Sequence, residues 1–116
     1  MKTLFLLRHC EANHFEENIN DHEKKLNEKG INDATLLNQW FLKNDIHLDY
    51  ILSSSATRTL ETTRTVFSNI KNKIYESKKL YLCGYKEIIE ALKFLDDNLN
   101  KVLPSFVKTN DYYNSL

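Results

Sequence analysis

Near the start of the chain, Leu4-Phe5-Leu6-Leu7 runs directly into Arg8-His9. An uninterrupted apolar run of this length predicts a strand buried on both faces, the pattern of a central strand in a parallel sheet. In open α/β folds, ligands bind beyond the carboxyl ends of such strands. A cation and an imidazole at that edge therefore predict an anion site, and a phosphate suits it. The competing reading is a strand that happens to end in two solvated polar residues.

A chain of 116 residues holds one domain (1–116), with room for a single core. Lysine and arginine together number 16, as do aspartate and glutamate, so charge predicts neither a nucleic-acid nor a membrane partner. Cys10 and Cys83 lie far apart without C-x-x-C spacing, which argues against a disulfide framework or zinc ribbon and fits a reducing compartment. The Leu4–Leu7 run is too short for a signal segment, and no later stretch has the length to cross a bilayer. A cytoplasmic protein is the expectation.

Residues 13–25 are polar and aperiodic and predict a loop, long enough to suggest a functional one. Asn27 as N-cap, followed by Ile31, Ala34, Leu37 and Phe41 at helical spacing, predicts a first helix, with Leu36 and Trp40 widening its stripe and Gly30 a mild cost. Asp49 to Ser53 predicts a second strand ending in a serine run. Leu60, Thr63, Phe67 and Ile70 mark a second helix capped by one of those serines. Lys73 to Glu76 is a weaker strand candidate, and Lys86 to Leu99 a third helix with Ile88, Leu92, Leu95 and Leu99 on one face. Alternating strands and helices imply an α/β fold with a mostly parallel sheet and right-handed crossovers. Lys101-Val102-Leu103 begins like a strand, but Pro104 lacks the N–H a central strand needs, which demotes the run to an edge strand or none. Residues 105–116 read as a frayed tail.

Arg58 lies just after the second strand and its serine turn. If both strands share one parallel sheet, their carboxyl ends share an edge, and Arg8, His9 and Arg58 converge there. Arginine suits a phosphoryl group because its planar fork donates paired hydrogen bonds and stays charged. An exposed helix residue lying over Leu60 is the plainer reading of Arg58.

Leu4 to Ala12 resembles the R-H-G/A-E signature of the histidine phosphatase superfamily, the phosphoglycerate mutase-like fold. Leu26-Asn27-Glu28-Lys29-Gly30 is similar to that family's L-T-E-x-G step, and Ser53 to Thr62 to its S-S-x-x-x-R-x-x-x-T step. The short loops and the Leu80–Leu99 region are most similar to SixA-like phosphohistidine phosphatases. The resemblance implies a three-layer α/β/α domain and a two-step phosphoryl transfer. His9 would attack phosphorus through a neutral nitrogen, its other nitrogen held by a backbone carbonyl, and water would hydrolyse the phosphohistidine. Arg8 and Arg58 would bind the substrate and neutralise the phosphoryl oxygens. No metal or other cofactor enters this scheme. An uncapped site would admit a phosphohistidine on a signalling protein or a small phosphoester.

The family's second histidine, in a later G-H-x-P turn, has no counterpart: Pro104-Ser105-Phe106-Val107 stands there and no histidine follows His47. Losing one such donor costs on the order of 10²- to 10³-fold in rate. The expectation is a fold incomplete at its C-terminus, truncated or frameshifted after Leu103 with 104–116 an atypical tail, and an impaired phosphatase. The alternative is a dead remnant that binds phosphate or a phosphorylated partner.

Other chemistry fits less well. A thiolate mechanism at Cys10 would need a loop arginine where Glu16 stands, so Cys10 reads as a small packed residue. His9, Cys10, His14 and His22 match no ordered metal spacing. His14 and His22 read as solvated loop residues, His47 as part of the loop before the second strand, and Glu11 and Glu61 as partners orienting the arginines. Tyr81, Tyr85, Tyr112 and Tyr113 read as packing and tail surface. No general acid can be picked from the sequence.

Overall fold

The computed structural model describes residues 3–13, 20–93 and 100–107. Thr3–Leu4 (β1) and Leu7–Arg8 (β2) both pair in parallel with Lys101–Phe106 (β5). On its other side β5 pairs in parallel with Tyr50–Ser54 (β3), which pairs in parallel with Ile74–Ser77 (β4). The sheet order is β1-β5-β3-β4, with β2 continuing the β1 line along β5. Glu28–Lys43 (α1), Thr57–Val66 (α2) and Tyr85–Lys93 (α3) complete the fold.

Period-two alternation in the strands sorts the core into two layers. Ile51 and Leu103 turn to one face of the sheet, where Ala34, Val66 and Phe67 cover them and Phe5, Leu7, Cys10, Leu37 and Phe41 pack alongside. Leu52 and Phe106 turn to the other, against Leu80, Cys83 and Ile88. The expected parallel α/β sheet with helices on both faces is what forms.

Two strand expectations are corrected. The Leu4–Leu7 run lies at the sheet edge rather than its centre. Phe5 and Leu7 face the core, whereas Leu4 and Leu6 are 46% and 52% exposed. Pro104, in turn, sits inside a central strand opposite Leu52. Phe5 N–H donates to Val102 O at 2.9 Å, so even-numbered residues of β5 direct their backbone polar groups toward β1 and β2. Pro104 therefore has its missing N–H opposite Phe5–Leu6, where the ladder is interrupted between β1 and β2. Proline is tolerated because the pairing lapses beside it. Residues 105–107 are not frayed either: Ser105 and Phe106 are buried in the strand, while Val107 N–H donates to Leu80 O (2.9 Å) and its carbonyl accepts from Cys83 N–H (2.8 Å). Residues 108–116 lie outside the described residues.

The first helix starts as expected, with Asn27 Oδ1 accepting from Gly30 N–H at 2.8 Å. Ala34, Leu37 and Phe41 face inward, but Ile31, Leu36 and Trp40 are 47%, 62% and 49% exposed. Gly30 is more than a tolerated cost. A Cβ there would lie 2.1 Å from Glu11 O, so only glycine lets α1 lie against the chain that leaves His9.

α2 has Ala56 at its cap position and no side-chain cap, while Ser54 Oγ accepts from Ala56 N–H. Its buried face is Thr59, Thr62, Thr63 and Val66, and a 3-10 segment, Ser68–Lys73, follows where the sequence predicts continued α-helix. The third helix is described to Lys93, so the remainder of the expected helix through Leu99 lies outside the described residues.

Candidate active site

β2 delivers His9 just past its last paired residue, and β3 with the serine turn delivers Arg58 in the first turn of α2. The two meet: Arg58 Nε–H donates to His9 Nε2 at 3.3 Å. His9 Nδ1 lies 2.7 Å from Cys10 O. A carbonyl can only accept, so Nδ1 carries the proton. A guanidinium can only donate, so Nε2 carries the lone pair. His9 is thus a neutral imidazole with its unshared pair on the nitrogen facing Arg58.

The turn that carries His9 is fixed to α2 by threonine. Cys10 N–H donates to Thr62 Oγ1 (3.0 Å), whose hydroxyl donates to Arg58 O (2.8 Å). Burial pushes the Cys10 thiol up despite the Thr62 hydrogen bond, which fits a packed side chain rather than a thiolate.

Arg58 is only 2% exposed, so the reading of an exposed helix residue does not hold. Its terminal nitrogens go to a residue in the stretch expected to be plain loop. Nη1 donates to Asp21 O at 2.5 Å and Nη2 to Asp21 Oδ2 at 3.0 Å. Asp21 opens a one-turn 3-10 segment, Asp21–Glu23, capped by Asn20, whose Oδ1 accepts from Glu23 N–H at 3.1 Å. Tyr81 donates its hydroxyl to the same Oδ2, and the buried Lys24 places Nζ 3.9 Å from Oδ1. Burial works to raise the Asp21 carboxyl, but the hydrogen bonds from Tyr81 and Arg58 and the charges of Arg58 and Lys24 outweigh it and hold the group below its usual range. Tyr81 is pushed up, by burial first and by Asp21 next.

Arg8 is exposed at the end of β2, with its backbone opposite Phe106. The acid that orients Arg58 is Asp21, not Glu61, which instead accepts Leu26 N–H at 3.0 Å. Glu11 accepts from Asn27 Nδ2 and pairs with Lys29 at 3.4 Å. His22 is not a solvated loop residue. It is half-buried, with Nε2 2.8 Å from Ser55 Oγ and its ring edge-to-face with Tyr81 at 4.9 Å between centroids. His47 is exposed and bonds Asp45, as its loop position suggests. His14 lies outside the described residues. Among the described residues, no three His, Cys, Asp or Glu side chains gather as a metal site would require, and no helix is long and apolar enough to cross a membrane.

A family model, the histidine phosphatase superfamily (branch 1), matches residues 4–85, which includes His9, Asp21, Arg58 and Tyr81. The chain belongs to that superfamily. An uncharacterized protein of Mycobacterium leprae (strain TN) is 26% identical over 100 residues, 84% of this chain and 61% of the relative. A candidate SixA phosphohistidine phosphatase from Nakamurella multipartitia superposes with a TM-score of 0.79 at 27% identity, over 90% of this chain and 58% of that one. The fold is shared also with the Agrobacterium tumefaciens counterpart (TM-score 0.82, 20% identity, 97% of this chain and 72% of that one). It is shared again with the protein histidine phosphatase SixA complexed with tungstate (0.76, 20%, 89% and 67%). The chain spans about three fifths of the length of the first relatives it matches.

In this member of the superfamily, then, the expected pair His9 and Arg58 is in contact, and four unforeseen side chains (Asp21, His22, Lys24 and Tyr81) gather on the far side of Arg58. The one sequence signal for them is the unusual length of the polar stretch that carries three of the four.

Proposed function

We propose that this protein is a phosphatase that transfers a phosphoryl group to His9 Nε2 and then to water. The observation that carries the reading is the state of His9: Nδ1–H is spent on Cys10 O, leaving the Nε2 lone pair beside the Arg58 guanidinium. A nucleophile in that form needs no deprotonation before attack. Phosphorus entering at Nε2 would displace the Arg58 contact, and Arg58 Nε–H would turn to a phosphoryl oxygen. Its unused N–H groups, with Arg8 at the open rim, would neutralise charge as the phosphoryl group passes between donor and acceptor. The substrate class that suits this site is a phosphohistidine on another protein or a small phosphoester. The SixA likeness favours the first.

The second reading is a chain that binds phosphate or a phosphorylated partner without turnover. It is favoured by the commitment of both terminal nitrogens of Arg58 to Asp21. Incubation with ³²P-labelled phosphohistidine protein or phosphoester separates the two. The phosphatase gives acid-labile label on His9 and loses both label and turnover in His9→Ala. No label together with turnover unchanged in His9→Ala would sink the transfer to His9, and phosphate binding with neither label nor turnover would establish the second reading.

A further inference from the structure

Phosphoester cleavage at His9 needs a proton for the departing oxygen, and the groups packed around Arg58 narrow its source. Asp21 is held ionised by Tyr81, Arg58 and Lys24 and has no proton to give. The Tyr81 proton is committed to Asp21 Oδ2. Arg58 does not release a proton in proteins. Lys24 is drawn to the other oxygen of the same carboxylate. His22 remains. Its ring rests edge-on against Tyr81, it keeps one side open to solvent, and its Nε2 reaches across to Ser55, three positions before Arg58 in the turn that leads into α2. An imidazole is the side chain suited to exchanging a proton near neutral pH.

The geometry points to His22, acting through the Ser55 hydroxyl, as the proton donor to the leaving group of phosphomonoester substrates. This rests on the phosphoryl transfer proposed at His9. In the first step the His9 Nε2 lone pair forms the N–P bond and the P–O bond to the alcohol breaks. The electron pair stays on that oxygen, which takes the Ser55 proton while Ser55 takes the Nε2 proton of imidazolium His22. In the second step water attacks phosphorus and the N–P bond breaks, returning its pair to His9 Nε2. The water protons stay with the departing phosphate, which gives one up to solvent, and His22 regains its proton from solvent on its open side. The balance is one water and one phosphomonoester to one alcohol and one phosphate. A phosphohistidine substrate, whose imidazole departs with little help, bypasses His22. The same pocket thus treats two substrate classes differently.

The test compares His22→Gln with the unsubstituted protein on 4-nitrophenyl phosphate, whose leaving group departs as a stable anion, and on phenyl phosphate, whose leaving group needs a proton. Glutamine keeps a polar tie to Ser55 but cannot pass a proton. The expected result is a loss on the order of 10²-fold or more in kcat on phenyl phosphate, with the 4-nitrophenyl phosphate rate changed less than about threefold. That retained rate also shows that the variant folds. An equal loss on both substrates, or no loss on either, would overturn the assignment while leaving label on His9 intact. If the unsubstituted protein takes no acid-labile label on His9, the parent reading fails and this one fails with it.

Discussion

Arg58 answers to two demands at the level of single side chains. It must offer positive charge beside His9, yet both its terminal nitrogens are held by Asp21 at the cost of desolvating both ions. Burial makes that pairing matter, since the two side chains are 3% and 6% exposed. Removing one partner of a buried pair typically costs about 3–5 kcal/mol, because the other charge is left buried alone. Asp21→Asn is therefore expected to lower stability by about 3 kcal/mol at pH 7 and to reduce label on His9, since Arg58 loses its anchor. The pH dependence has a definite sign. The folded Asp21 carboxyl lies below its ordinary value of about 3.9, so its contribution is complete above that value and is lost as pH falls through the lower folded one. Urea midpoints measured from pH 7 downward should show the two proteins converging only in strong acid. A gap that stays constant across that range would mean that the ion pair is not its source. His9 and Arg58 were legible because each follows a strand, and strand ends in a parallel sheet share an edge. Asp21 was not. Nothing local marks one acid in a polar stretch, and its partners lie 37 and 60 residues away.

Among the elements, close approach explains what propensity misses. Gly30 looks like an ordinary weakness in the first turn of α1, but Asn27 N–H donates to Glu11 O at 3.0 Å and brings that carbonyl to where a Cβ would sit. Gly30→Ala must push α1 away from the segment that holds His9 and Cys10. A destabilisation of about 1–3 kcal/mol is expected from such overpacking, read as a lower thermal midpoint, together with slower labelling of His9. A mid-helix Gly→Ala change without the clash would instead raise the midpoint. The helices and the second strand were legible from apolar spacing and caps. α2 was less so, because its buried face is mostly threonine: the hydroxyls of Thr62 and Thr63 turn back to the helix carbonyls of Arg58 and Thr59, while that of Thr59 is buried without a partner. The reversal of edge and centre has one cause. Sequence shows that Pro104 lacks a donor, but not that the adjoining strand leaves the matching place unpaired.

At the scale of the whole molecule, β3 and β5 each feed both core layers: Ile51 and Leu103 to one side, Leu52 and Phe106 to the other. Neither layer can lose its strands without exposing the other, so the domain should unfold as one unit rather than layer by layer. The chain carries a natural reporter on each side. Trp40, its only tryptophan, lies on α1 with its ring edge-to-face against Phe41 at 5.1 Å. Cys83, 2% exposed, lies in the opposite layer with Leu80 and Ile88. In a Cys10→Ala chain, Cys83 is the sole thiol. Urea titrations followed by Trp40 fluorescence and by the reactivity of Cys83 toward a thiol reagent should then give one midpoint. Exposure of Cys83 at lower urea than the fluorescence change would mean that the layer built on α3 opens on its own. That layer also carries Leu80, next to Tyr81, whose hydroxyl reaches Asp21. Independent opening would therefore release one of the groups that hold Asp21 against Arg58 and couple the stability of the far layer to the charge beside His9. A single midpoint means that the Arg58–Asp21–Tyr81 chain of contacts stays intact until the whole domain unfolds.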